Sequence, residues 1–106
     1  MSAGWSPKMY QDLFAPYIKK QVELIHEHGA ICNFYDDGKL MPVANILKNC
    51  GIDVLETLTP PAMGDTDLEK LKKKIGDKVC LKGYIDLWYV IYEGTPESIE
   101  KEVKKP

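Results

Sequence analysis

Apolar residues recur every three or four positions through Tyr10, Phe14, Ile18, Val22 and Ile25, which lays one buried stripe along a helix. Ser6 and Pro7 open that helix: the hydroxyl can cap free N–H groups, and a proline costs nothing in a first turn whose N–H groups have no helical partner. Gly29 closes it. Pro16 falls inside the pattern, where it removes a backbone hydrogen bond and crowds the preceding turn, so a kink or two abutting helices is expected. Residues 30–35 are rich in β-formers and end at the turn Asp36-Asp37-Gly38, which predicts a strand. Helical spacing returns over residues 40–50 through Val43, Ile46 and Leu47, with Pro42 in the first turn and Gly51 as a left-handed cap. A second strand follows at 53–58. After the loop 59–64, Asp65 and Asp67 suit a helix amino terminus, and Lys72, Lys73 and Lys74 suit its carboxyl terminus before Gly76. A third strand covers 78–83, extending toward Ile85. A short helix at 88–92 comes next, and Thr95 caps another that Pro96 leads.

Glycines 29, 51 and 76, separated by 22 and 25 residues, each end a helix and precede a strand. Such a repeat fits consecutive βα units of a parallel sheet, whose crossovers need a dozen or more residues and share one hand. Crossovers of one hand that advance in one direction put every helix on the same side. The other side of a three-stranded sheet then has no cover, which is normal only inside a closed barrel. A whole (β/α)8 barrel takes about 250 residues. The expected class is therefore α/β, a partial (β/α)8 TIM barrel of about three parallel strands with flanking helices, forming a single domain over residues 1–106. A small three-stranded sandwich is the less favoured alternative.

Strands buried on both sides read as nearly continuous apolar runs, yet Asn33, Glu56 and Lys82 interrupt the middle of all three. In a barrel, polar residues near the carboxyl ends of the strands approach the face where active sites sit. Glu56 is then a candidate acid, base or ligand, and Lys82 a candidate positive charge. The structural alternative is a Glu56–Lys82 ion pair across neighbouring strands, or a lysine that reaches the rim. Tyr35, Asp36 and Asp37 leave strand one on the same face; Asp37 is a candidate for binding or catalysis, while Gly38 fits ordinary turn chemistry. Asp86, just after strand three, is the next candidate on that rim. Asp53 lies at the opposite end and is expected to matter for stability alone. His26 and His28, two apart on a helix, share no face and read as surface residues.

Composition narrows the chemistry further. All fourteen basic residues are lysines and the net charge is -2, which lacks the footprint of a nucleic-acid binder. Cys32, Cys50 and Cys80 are too sparse for a disulfide framework or a zinc knuckle, so free thiols, no metal centre and a cytoplasmic setting are expected. No apolar run approaches the roughly 18 to 20 residues of a membrane span, and the stretch before Ser6 lacks a signal-peptide pattern. There is no nucleophile elbow, P-loop or dinucleotide fingerprint.

Five local motifs in order resemble the uroporphyrinogen decarboxylase superfamily. They are the opening Ser6-Pro7-x-x-Tyr10 together with Phe14-Ala15-Pro16-Tyr17, then Phe34-Tyr35-Asp36-Asp37-Gly38, Cys50-Gly51-Ile52-Asp53-Val54-Leu55, Gly76 through Gly83, and Gly94-Thr95-Pro96-Glu97. The resemblance implies an interior-to-late portion of a barrel whose parent is either the lyase that removes acetate carboxyls from uroporphyrinogen in porphyrin biosynthesis or a methyltransferase working with corrinoids or thiols. The family's arginine-rich amino-terminal signature and catalytic aspartate segment have no counterpart here, so the resemblance implies that the fragment alone is inactive. Methyltransferases of the superfamily often carry a His-x-Cys zinc pair where this chain reads Tyr35-Asp36-Asp37. The Asp37-Gly38 pair resembles the decarboxylase pattern, whereas Gly83-Tyr84-Ile85-Asp86-Leu87 departs from it, and Thr59-Pro60-Pro61 is more like the methyltransferase relatives. Position at the carboxyl ends of the strands, apart from the resemblance, makes Asp37, Glu56 and Asp86 the expected catalytic set, with Asn33, Tyr35 and Lys82 binding substrate. The leading expectation is a tetrapyrrole substrate without cofactor; the alternatives are a corrinoid-linked methyltransferase, with zinc and a corrinoid in the parent, and a non-catalytic association module. Open sheet edges predict a homo-oligomer.

Overall fold

The computed structural model describes residues 5–61 and 63–105; the start read above for a signal peptide, Ala62 of the loop after strand two, and Pro106 lie outside that range. The chain opens with helix α1 (Pro7–Met9), a π-helical turn (Tyr10–Phe14) and α2 (Ala15–Glu27). Ser6 caps the start, its Oγ accepting from the Met9 N–H at 3.2 Å. The interruption at Pro16 takes the form of a π turn. Backbone angles stay helical from Met9 to Ala15, and the Ala15 N–H donates to Tyr10 O, five residues back. One extra residue per turn shifts the hydrogen-bonding ladder so that the proline's missing donor is tolerated without ending the helix. The predicted stripe is the buried one: Tyr10, Ile18 and Val22 are buried, with Phe14 and Ile25 packed at its margin.

Strand β1 (Asn33–Tyr35), β2 (Val54–Leu58) and β3 (Cys80–Gly83) form a parallel sheet in the order β1-β2-β3. Each starts later than the sequence pattern implies. The residues just before them serve the joints instead, as where Cys32 O accepts from both Asp53 N and Val54 N. Between β1 and β2 a 3-10 turn (Met41–Val43) holding Pro42 leads into α3 (Ala44–Asn49). Helix α4 (Leu68–Ile75) is capped by Asp67, which accepts from Lys70 N at 3.1 Å. After β3 comes a π-helical turn (Leu87–Tyr92) and then α5 (Pro96–Val103), whose Thr95–Ser98 capping box is formed. Neither of these last two elements buries a residue.

Register sorts the strands into two faces. Phe34, Leu55 and Leu81 form one row across the sheet; Leu55 is fully buried and the other two pack on the core. The helical residues Ile18, Val22, Leu47, Leu71 and Ile75 complete that core on the same side. Asn33, Val54 and Cys80 form a second row, and Tyr35, Glu56 and Lys82 a third. By the two-residue period of a strand, both point away from the helices. Among the described residues no helix of the core packs on that face, and the segment after β3 approaches only its carboxyl end. The small sandwich is thus not what forms, and the architecture is the α/β arrangement of a barrel segment.

Candidate functional site

Alternation places Asn33, Glu56 and Lys82 on the open face, and the side chains find one another there. Asn33 Nδ2 donates to Glu56 Oε2 at 2.6 Å, and Lys82 Nζ lies 3.4 Å from the same oxygen. The expected ion pair exists, within a three-strand polar row. The Asn33 amide, and after it the Lys82 charge, pull the Glu56 carboxyl below its ordinary range. That environment favours the charged form of Glu56, which fits it to accept hydrogen bonds and not to donate them.

The turn after β1 separates its two carboxylates. Asp36 is fully buried and receives the Tyr10 hydroxyl at 3.4 Å, while Asp37 stays exposed and receives the Tyr35 hydroxyl at 3.3 Å. Burial, reinforced by Asp36, pushes the Tyr10 phenol above its ordinary value. The Asp37 charge does the same for Tyr35. Nothing in two adjacent aspartates tells which one turns inward; the contact with Tyr10, remote in sequence, decides it.

A depression of about 470 Å³ lies over the carboxyl ends of the strands. Its polar wall is Tyr35, Asp37, Glu56 and Lys82; its apolar wall is Met63, Tyr84, Ile85, Leu87 and Trp88. Four of the six candidate residues thus meet at one hollow. Asn33 reaches it through Glu56. Asp86 does not line it: at 6% exposure, its carboxylate accepts from the Tyr89 N–H at 2.7 Å and caps the π turn that carries Leu87 and Trp88. A larger groove of about 800 Å³ between α4, the end of β3 and α5 holds none of the candidate residues.

The rim of the hollow is strained. Thr57 (φ 66) and Tyr84 (φ 79) take left-handed backbone angles, which cost of order 1–3 kcal/mol each for residues other than glycine. Thr57 is the extra residue of a β-bulge, since Glu56 pairs with Lys82 and Leu58 with Gly83. A Cβ on Gly83 would come within 3.1 Å of Leu58 N, so glycine is what lets β3 run against the bulge. Sequence reasoning missed this feature. The signal was Leu55 and Leu58, both buried though three apart, a spacing that an unbroken strand cannot place on one face.

At the other end of the sheet, Asp53 Oδ2 accepts from Cys32 N at 2.6 Å and lies 2.7 Å from His26 Nε2. The backbone amide, followed by His26, lowers the Asp53 carboxyl below its ordinary range. Cys32 and Cys80 fall on opposite faces: Cys32 is buried and Cys80 exposed. Among the described residues no three His, Cys, Asp or Glu side chains are grouped to hold a metal, so the chain's own residues do not fit a zinc centre. No helix among them is long and apolar enough to cross a membrane.

A family model described as uroporphyrinogen decarboxylase (URO-D) matches residues 2–106. A uroporphyrinogen decarboxylase of Pseudoalteromonas atlantica is 32% identical over 106 residues, covering 94% of this chain and 27% of that protein. One of Chlorobium phaeobacteroides is 34% identical over 101 residues, covering 91% of this chain and 26% of that protein. The chain therefore spans about a quarter of the length of these relatives. No solved structure matches.

Proposed function

The chain belongs to the uroporphyrinogen decarboxylase family, and from that premise we propose that its open sheet face forms one wall of the substrate cavity of a barrel that decarboxylates a tetrapyrrole. The observation that carries this reading is the polar row Asn33–Glu56–Lys82 beside Asp37 and Tyr35, on the uncovered face at the carboxyl ends of parallel strands. Loss of an acetate carboxyl from a pyrrole begins with a proton added to the ring. The positive charge spreads over the ring, the electrons of the breaking carbon–carbon bond neutralise it as carbon dioxide leaves, and a proton taken up by the freed methylene carbon, with the ring proton given back, completes the methyl group. Fixed anions near the ring lower that barrier because they are already oriented when the charge appears. Glu56, kept ionised by Asn33 and Lys82, and Asp37 are placed to accept pyrrole N–H groups and stabilise that charge. Lys82 is the cation available to a ligand carboxylate. Trp88, Leu87 and Met63 supply apolar surface for the macrocycle.

Trp88 on the wall of the hollow supplies the test. Trp5 packs edge-on against Phe14, 5.0 Å away at the other end of the chain, so a Trp5→Phe background isolates the Trp88 signal. Uroporphyrin, the oxidised and stable form of the proposed substrate, should quench it saturably. Asp37→Asn should weaken that binding by about tenfold or more, the scale of a lost charged hydrogen bond. Absence of saturable quenching would remove the reading.

The uncovered face and the edges of β1 and β3 support self-association as part of the same proposal. Sedimentation at micromolar concentration should show species larger than a monomer; a compact monomer would count against it.

A further inference from the structure

Thr57 is a β-branched residue held at φ 66 in the lip of the hollow. Threonine is among the side chains least at ease there, because the branched Cβ crowds its own backbone. The bulge has a structural purpose. By adding one residue between Glu56 and Leu58 it lets Leu58, at 2% exposure, face the same core as Leu55. That purpose explains an extra residue but not its identity, since glycine would occupy φ 66 without strain. Retaining threonine is explained if its side chain has a task, and strain of this kind gathers at binding sites. Thr57 lines the hollow directly after Glu56, whose partner across the strand pair is Lys82, so both charges and the threonine share one wall.

We infer that Thr57 is a ligand-binding residue whose hydroxyl donates a hydrogen bond to a ligand carboxylate held beside Lys82. It supplies a directional donor next to a cation that Glu56 already partly engages, in a chain without arginine to clamp a carboxylate in two places. The inference rests on the open face being the ligand wall.

Three variants of the 106-residue chain in the Trp5→Phe background separate it from a packing role, with uroporphyrin quenching of Trp88 and thermal melting measured on each. Thr57→Ser keeps the hydroxyl and should bind within about twofold of the parent. Thr57→Ala loses the hydroxyl but keeps a Cβ, so it should bind about tenfold more weakly with the melting temperature nearly unchanged. Thr57→Gly should bind as weakly as the alanine variant yet melt a few degrees higher, because the strain is gone. Weaker binding together with greater stability is an outcome that a packing residue does not give. Lys82→Ala and Asp37→Asn serve as references. If they weaken binding while Thr57→Ala does not, the inference fails and the functional reading stands. If the parent shows no saturable quenching, both fail. A lower melting temperature for Thr57→Gly with binding unchanged would make Thr57 a structural residue only.

Discussion

Asp53 and Glu56 lie three residues apart on one strand and its lead-in, both below the ordinary carboxylate range, yet they serve different ends of the molecule. Asp53 is bound first by a backbone N–H, that of Cys32 at the entrance to β1, and second by His26 of α2. Its negative charge ties the end of a helix and the starts of two strands into one joint. Glu56 is bound by the side chains of Asn33 and Lys82, on the face turned away from the core helices. A backbone partner cannot leave without local unfolding, whereas side-chain partners can rotate away and give place to a ligand. The partner's covalent freedom, more than the size of the pKa shift, distinguishes a structural carboxylate from one available for chemistry.

The strongest way to break the comparison is to attack the covered side of the same strand. Leu55 is fully buried between the sheet and the helices, so Leu55→Ala should cost about 2–5 kcal/mol. Loss of cooperative melting by circular dichroism would show it, and a loss below 1 kcal/mol would mean that the helical side does not hold the sheet. Next comes Tyr10→Phe. The Tyr10 hydroxyl reaches buried Asp36 at 3.4 Å, and its removal should cost about 1–2 kcal/mol. Because the same contact turns Asp36 inward and leaves Asp37 outward, this variant should also weaken uroporphyrin binding.

Asp53→Asn should cost about 1 kcal/mol, held to that level by the partial exposure of the Asp53 and His26 pair. Its pH dependence sharpens the contrast. Asp53 is lowered on folding, so its contribution is complete above the ordinary aspartate pKa of about 4 and is lost as pH falls through the lower folded value. Melting curves of the parent and the variant should therefore stand apart at pH 6 and converge in acid. A gap that widens in acid would contradict the joint. The smallest change in stability belongs to Glu56→Gln: little shift in melting temperature, but uroporphyrin binding weakened about tenfold. If that variant melts much earlier and binds as before, the Asn33–Glu56–Lys82 row is a brace and Glu56 leaves the site.

Much of the fold was legible in the chain because helices and strands advertise themselves locally. The stripe from Tyr10 to Ile25, the glycine spacing and the caps at Ser6, Asp67 and Thr95 all act within a few residues. The polar interruptions at Asn33, Glu56 and Lys82 marked the open face for the same reason, since alternation is a two-residue rule. Parallel pairing then had little choice of register once one row, Phe34, Leu55 and Leu81, had to meet the helices.

What the sequence by itself determined, then, is which residues are helical, which face of each strand is apolar, and which polar residues share the other face. Tertiary structure decided two matters. It turned Asp36 inward against Tyr10 and left Asp37 at the hollow. It placed Thr57 in a bulge that re-aims the end of β2. Each depends on a contact between residues remote in sequence or on a choice between chemically similar neighbours. Local periodicity carries no information about either, because the energy that settles them exists only once the core has brought the partners together.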